Sequence, residues 1–126
     1  MDNRRRDYRH SFTPTRRLAV RLTVPDQSVS IAGEIIDLSV GGMCVQASAL
    51  KDVNADHFIA ICAFVPGAQP LAIPMERVHQ PSANQPRAGF HFLPMSDTVA
   101  EDERERVIWK LLLEEQRIQR RQRFAS

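Results

Sequence analysis

The run Arg17-Leu18-Ala19-Val20-Arg21-Leu22-Thr23-Val24 puts an apolar side chain at every second position. A period of two fits a strand with one face buried and one in water, and it excludes a helix, whose apolar stripe recurs every three to four residues. Working outward, Pro25-Asp26 predicts a turn. Residues 29–38 then carry Val29, Ile31, Ile35 and Ile36 around Gly33, a second strand with a bulge expected at the glycine. Gly41-Gly42 interrupts the chain, and residues 43–47 resume as a third strand. Residues 58–65 are β-like and end at Pro66-Gly67. Residues 71–79 contain Pro74, which predicts an edge or bulged strand, and residues 89–93 supply a sixth. Short strands separated by turn signals predict a mainly β fold, a small antiparallel barrel or sandwich.

The last quarter of the chain has a different period. Thr98-x-x-Glu101 forms a capping box, with Asp97 as an alternative N-cap. Acidic residues crowd the first turns (Glu101, Asp102, Glu103, Glu105) and arginines the last (Arg117, Arg120, Arg121, Arg123), the arrangement that a helix dipole favours. Val107, Ile108, Leu111, Leu112 and Ile118 recur at helical spacing, so a helix over 97–123 has one face to pack, and its own barrel is the expected partner. Trp109 is expected to pack there too.

Composition bounds the function. The 126 residues suit one domain, and 43% apolar residues suffice for one core. No apolar run approaches the ~20 residues that span a bilayer, and the basic N-terminus lacks the hydrophobic stretch of a secretory signal. The expectation is a cytoplasmic protein with no membrane insertion. Cys44 and Cys62 lie in apolar, strand-like runs and read as reduced core thiols, and His10, His57, His79 and His91 form no metal-spaced cluster. No nucleophile elbow, P-loop or His-Glu-x-x-His stands in the chain, so no enzyme and no cofactor are expected.

Net charge is +2, but it is unevenly spread. Residues 1–21 hold seven arginines against Asp2 and Asp7, whereas residues 22–99 hold three bases against seven acids. Positive charge is focused where an anion would bind. Two short motifs stand out. Arg4-Arg5-Arg6-Asp7-Tyr8-Arg9 contains Arg5-x-x-x-Arg9, and Asp37-Leu38-Ser39-Val40-Gly41-Gly42 is an Asp-x-Ser-x-x-Gly run between two strands. Arginine forks onto phosphate oxygens, bonds the O6 and N7 acceptors of guanine and stacks on a base. A carboxylate and a hydroxyl accept from guanine's donor edge, and glycine lets the backbone turn with positive φ and approach a ligand closely. Each motif also has a plainer reading: a basic arm is commonly a solvated tail or a polyanion binder, and Asp and Ser favour ordinary turns. Tyr8 suits either base stacking or anchoring of the arm, and Arg77 and Arg87 read as solvent-facing strand arginines.

Together, in this order and in a β-rich chain ending in a helix, the two motifs resemble the PilZ domain family, and Gly89-Phe90-His91-Phe92 is similar to the family's late Gly-x-x-Phe strand. The resemblance implies a six-stranded antiparallel β-barrel over 14–95 with a flexible arm over 1–13 and the C-terminal helix, all one domain. It implies a non-catalytic receptor for cyclic di-GMP, with no further cofactor. Arg5 and Arg9 would contact phosphate and guanine with Arg4 in support, Asp37 and Ser39 would read a guanine edge, and Gly42 would allow the close turn. Ordering of the arm would signal to a downstream protein partner, in the family's usual territory of motility and biofilm control. The departures are Asp7 inside the arginine motif and His10 where an aliphatic residue is usual. Two other readings remain: an adaptor without ligand, and a barrel that binds nucleic acid through the arm, although no DNA or RNA is expected.

Overall fold

The computed structural model describes residues 8–79 and 86–125. It contains seven strands, β1 (His10–Ser11), β2 (Leu18–Val24), β3 (Val29–Ser39), β4 (Gly42–Gln46), β5 (His57–Cys62), β6 (Leu71–His79) and β7 (Arg87–Phe92). A short 3₁₀ turn (Ser48–Asp52) follows β4, and one long helix, α1 (Thr98–Ala125), ends the chain. Every strand pairing is antiparallel, and the order β3-β2-β5-β6-β7-β4 returns to β3, closing a six-stranded barrel to which β1 is added along β3. The fold is mainly β.

The alternation read from the sequence is the alternation of burial. Val20, Leu22 and Val24 point into the barrel while Ala19 and Arg21 face water. They meet Ile35, Leu38, Met43, Val45, Ile73 and Met75 in one core, with the Phe58 and Phe90 rings edge to face at 5.3 Å. Strand β3 is long because it serves two neighbours. Its first part pairs with β2 (Leu22↔Ile31, Leu18↔Ile35) and its second with β4 (Ile35↔Val45, Leu38↔Met43). The register shifts between Ile35 and Asp37, so the bulge falls at Ile36 and not at Gly33. Gly33 instead permits close approach. A Cβ there would lie 2.9 Å from the Ala47 Cβ and from the Gln46 carbonyl oxygen, tighter than packed atoms tolerate.

Of the two readings that Pro74 offered for its strand, an edge or a bulge, the second holds. Strand β6 is paired on both sides, with β5 and with β7, so it is no edge, and its register shift lies further on, between Arg77 and His79. The Pro74 carbonyl accepts the Leu93 N–H at 2.9 Å. A strand residue's N and C=O point the same way, so the missing proline donor faces the place where β7 ends at Phe92. The bond forgone is the reciprocal one to the Leu93 carbonyl, which accepts from Arg104 at 3.0 Å instead.

Helix α1 packs on the barrel. Ile108 and Leu112 are fully buried in the common core, with Val107, Trp109 and Leu111 partly buried beside them. Asp97, not Thr98, caps the helix. Its carboxylate accepts the Val99 N–H at 2.9 Å and its carbonyl the Glu101 N–H at 3.0 Å, while the Glu101 carboxylate accepts from the Met95 N–H. The buried face also carries two charged residues. Arg104 donates to the Leu93 carbonyl at 3.0 Å and lies over the Phe92 ring, and Glu115 is 3% exposed. The helix therefore runs across one end of the barrel, from the end of β7 toward β1. Leu112→Ala is expected to destabilise the fold by about 2–5 kcal/mol, the range for a leucine truncated in a packed core, measured by urea unfolding.

Candidate functional site

The two sequence motifs meet through β1. Residues 8–13, which show no periodicity, are held on the barrel, with His10 and Phe12 buried and β1 paired to β3 as His10↔Leu38 and Ser11↔Asp37. Continuing that antiparallel register by one residue brings Arg9 level with Ser39. The last arginine of Arg5-x-x-x-Arg9 thus stands beside the Asp-x-Ser-x-x-Gly strand. Arg4 and Arg5 lie outside the described residues.

Arg9 and Ser11 share the exposed face of the arm, and Asp37 is half-buried on the adjoining face of β3. Asp37 is opposite Cys44 on β4, and Cys44 is opposite Gly89 on β7. Among the described residues, neither the Arg9 nor the Asp37 side chain has a hydrogen bond or an ion pair. The Cys44 thiol senses both. Burial pushes its pKa up, the Asp37 charge adds to that, and Arg87 and Arg9 pull the other way. Cationic and anionic groups therefore face one strip of barrel surface with hydrogen-bonding capacity to spare. Burial alone pushes the Cys62 thiol up to about 12, and it behaves as a core residue.

Ser39 and Gly42 serve the hairpin that carries this strip. Ser39 is 5% exposed, and its hydroxyl donates to the Gly42 carbonyl at 3.3 Å across the Val40-Gly41 turn. It keeps its acceptor lone pairs but lies beneath the surface. A Cβ on Gly42 would collide with the Phe90 carbonyl oxygen of β7, so the glycine lets β4 and β7 approach. Positive φ is not its reason: among the described residues that conformation is found at Asp26 and Gly67. Gly41 is different, since a Cβ there would meet no atom within 4 Å.

Arg77 and Arg87 separate in role. Arg87 is exposed at the start of β7, opposite Gln46 and within electrostatic range of Cys44. Arg77 is not solvent-facing. Its guanidinium lies 5.1 Å from the centre of the Phe58 ring and donates to the Val53 carbonyl at 3.2 Å, and burial holds its pKa below the usual arginine value. It is a packing residue of the barrel end. Tyr8 anchors the arm, with its ring edge-on to Trp109 at 6.5 Å.

Sequence reading missed the group that seats this arm. The Arg16 guanidinium forks onto the buried Glu115 carboxylate with contacts of 2.6, 2.9 and 3.1 Å, and the His10 Nε2 lies 3.9 Å from Glu115 Oε1. The signal was present in α1, where Glu115 follows Arg104, Ile108 and Leu112 at helical spacing on the buried face. No group of His, Cys, Asp or Glu suited to a metal occurs among the described residues, and no helix is long and apolar enough to cross a membrane.

The sequence profile described as PilZ domain matches residues 3–109. No curated protein matches the sequence. The PilZ domain of CeSA, from a cellulose-synthesizing bacterium, resembles this structure with a TM-score of 0.63 at 19% identity, over 83% of this chain and 98% of that one. The PilZ domain of YcgR from Escherichia coli, solved with c-di-GMP, gives 0.65 at 20% identity, over 90% and 95% of the two chains. Longer YcgR in complex with c-di-GMP gives 0.64 at 22% identity, covering 97% of this chain and 50% of that one. At such identities the likeness is one of fold.

The two glycines of the hairpin give a direct test of this geometry. Gly42→Ala is expected to destabilise the barrel by about 2 kcal/mol or more through the clash with β7, whereas Gly41→Ala should change stability by less than about 1 kcal/mol. Thermal and urea unfolding of the two variants would separate them.

Proposed function

The chain belongs to the PilZ domain family, and from that premise we propose that it is a non-catalytic receptor for cyclic di-GMP. The observation that carries this reading is the pairing of β1 with β3, which sets Arg9 beside Asp37 and Ser39 while Arg9 and Asp37 keep their hydrogen-bonding capacity. The YcgR structures, which hold c-di-GMP on the same fold, support the choice of ligand.

In this reading the arm supplies the anion site. Arg4, Arg5 and Arg9 neutralise the paired phosphodiesters, and an arginine fork bonds the O6 and N7 edge of guanine or stacks on its face. Asp37 accepts from the guanine N1–H and amino group. Ser39 contributes an acceptor from beneath and fixes the turn, and Gly42 acts by setting the hairpin against β7. Residues 1–13 form the responsive arm of a single domain whose barrel spans 14–95 and which ends in α1. Docking of the N-terminal arm on the ligand gives a downstream protein a surface to recognise, in the bacterial cytoplasm and in the control of motility or biofilm.

Calorimetry tests this. Cyclic di-GMP should bind, while GTP and single-stranded DNA should not. Arg9→Ala should weaken binding at least about tenfold, as expected when a charge-assisted contact worth ~1.5–3 kcal/mol is lost. No heat with the cyclic dinucleotide at high micromolar protein overturns the reading. A steep loss of affinity with salt, shared by any polyanion, would indicate a nucleic-acid surface instead.

A further inference from the structure

The arm is seated by its two residues that flank Arg9. Tyr8 rests edge-on against Trp109 of α1. His10 is 4% exposed, its ring packed edge to face on Phe12 at 4.7 Å. Wherever these two go, Arg9 goes.

The charged groups facing His10 come from three elements: Glu115 from α1, Arg16 from the link between β1 and β2, and Asp37 from β3. A histidine beside a carboxylate ordinarily gains basicity. Here the carboxylate is already engaged, since the Arg16 fork holds both Glu115 oxygens at 2.6–3.1 Å and His10 lies at 3.9 Å, beyond hydrogen-bond reach. Burial therefore prevails over the attraction of Glu115, with Arg16 adding to it and Asp37 opposing, and the His10 pKa falls below its ordinary value of 6.5. The seated ring is neutral at neutral pH. A protonated ring is stabilised by water, which the seat excludes.

We propose that His10, held between the Arg16–Glu115 pair and β3, is a positioning residue for ligand capture: neutral His10 seats Arg9 beside Asp37, and protonated His10 releases the arm. This rests on the cyclic di-GMP reading for the ligand, but the seating itself does not depend on it. The sign follows from linkage. Released, His10 has its ordinary pKa; seated, a lower one. Seating is thus complete above about pH 6.5 and is lost as pH falls toward the seated value. An aliphatic residue at this position would have no such dependence.

The test uses the full chain at about pH 7.5 and about pH 5.5, with circular dichroism confirming the fold at both. Trp109 is the sole tryptophan, so its emission reports Tyr8 seating without ligand. Expected are a pH-dependent change in Trp109 emission and a several-fold weaker affinity for cyclic di-GMP at the lower pH, both absent in His10→Leu. Equal affinity at both pH values, or an equal loss in His10→Leu, overturns the proposal. Should that variant fold poorly, NMR titration of the His10 ring in the unaltered chain decides: a midpoint below 6.5 supports the proposal and one at or above it overturns it. Absence of binding at the higher pH would count against the receptor reading alone, and Trp109 emission would still judge the seat.

Discussion

Strand β3 holds the molecule together by belonging to three pairings at once. Its first half is hydrogen-bonded to β2, its second to β4, and its end to β1 as well. A straight strand cannot close a barrel and receive an arm together. The extra residue at Ile36 bends β3 between those tasks, and closure removes the open edges that a flat sheet would leave. Everything near the candidate site descends from this bend. Beyond it lie Asp37 and Ser39, the short Val40-Gly41 turn, and the only stretch of barrel that β1 joins.

Much of this was legible in the residues, and what was not has identifiable causes. The six barrel strands follow from period-two burial and from turn residues, which are local properties. Strand β1 is a pair of residues, too short for any period; it exists because β3 offers a partner beyond its bulge. Pro74 signalled an edge or a bulge since a proline lacks a donor; β6 is bulged yet no edge, because the Leu93 carbonyl that the proline leaves without a backbone donor is supplied by Arg104, far away in the chain. Gly33 signalled a bulge, yet its reason is the nearness of Ala47 and Gln46 across the bend. Arg77 looked solvent-facing because alternation gives a side but not a position along the barrel, and near the rim an inward arginine covers Phe58.

The site shows the same division. Arg9, Asp37, Ser39 and Gly42 could be named from their spacing, since the hydrogen-bonding capacity of each is written in its residue type. Their differing depths could not. Arg9 stands in solvent, Asp37 is half-buried, and Ser39 is buried and bonded to its own turn. The Arg16–Glu115 pair joins residues far apart in the chain. Its geometry turns a nominal mismatch on the apolar face of α1 into the contact that ties the helix to the start of the barrel.

The contact between Gly42 and the Phe90 carbonyl has a consequence for how this motif is inherited. A residue retained because two backbones must nearly touch is retained whether or not any ligand is bound. Replacing the exposed Arg9 touches no packed backbone, whereas any side chain at position 42 forces β4 and β7 apart. In this barrel the glycine answers to architecture. The exposed arginine and carboxylate have no such structural duty, so a chain that keeps them keeps them for something other than the fold.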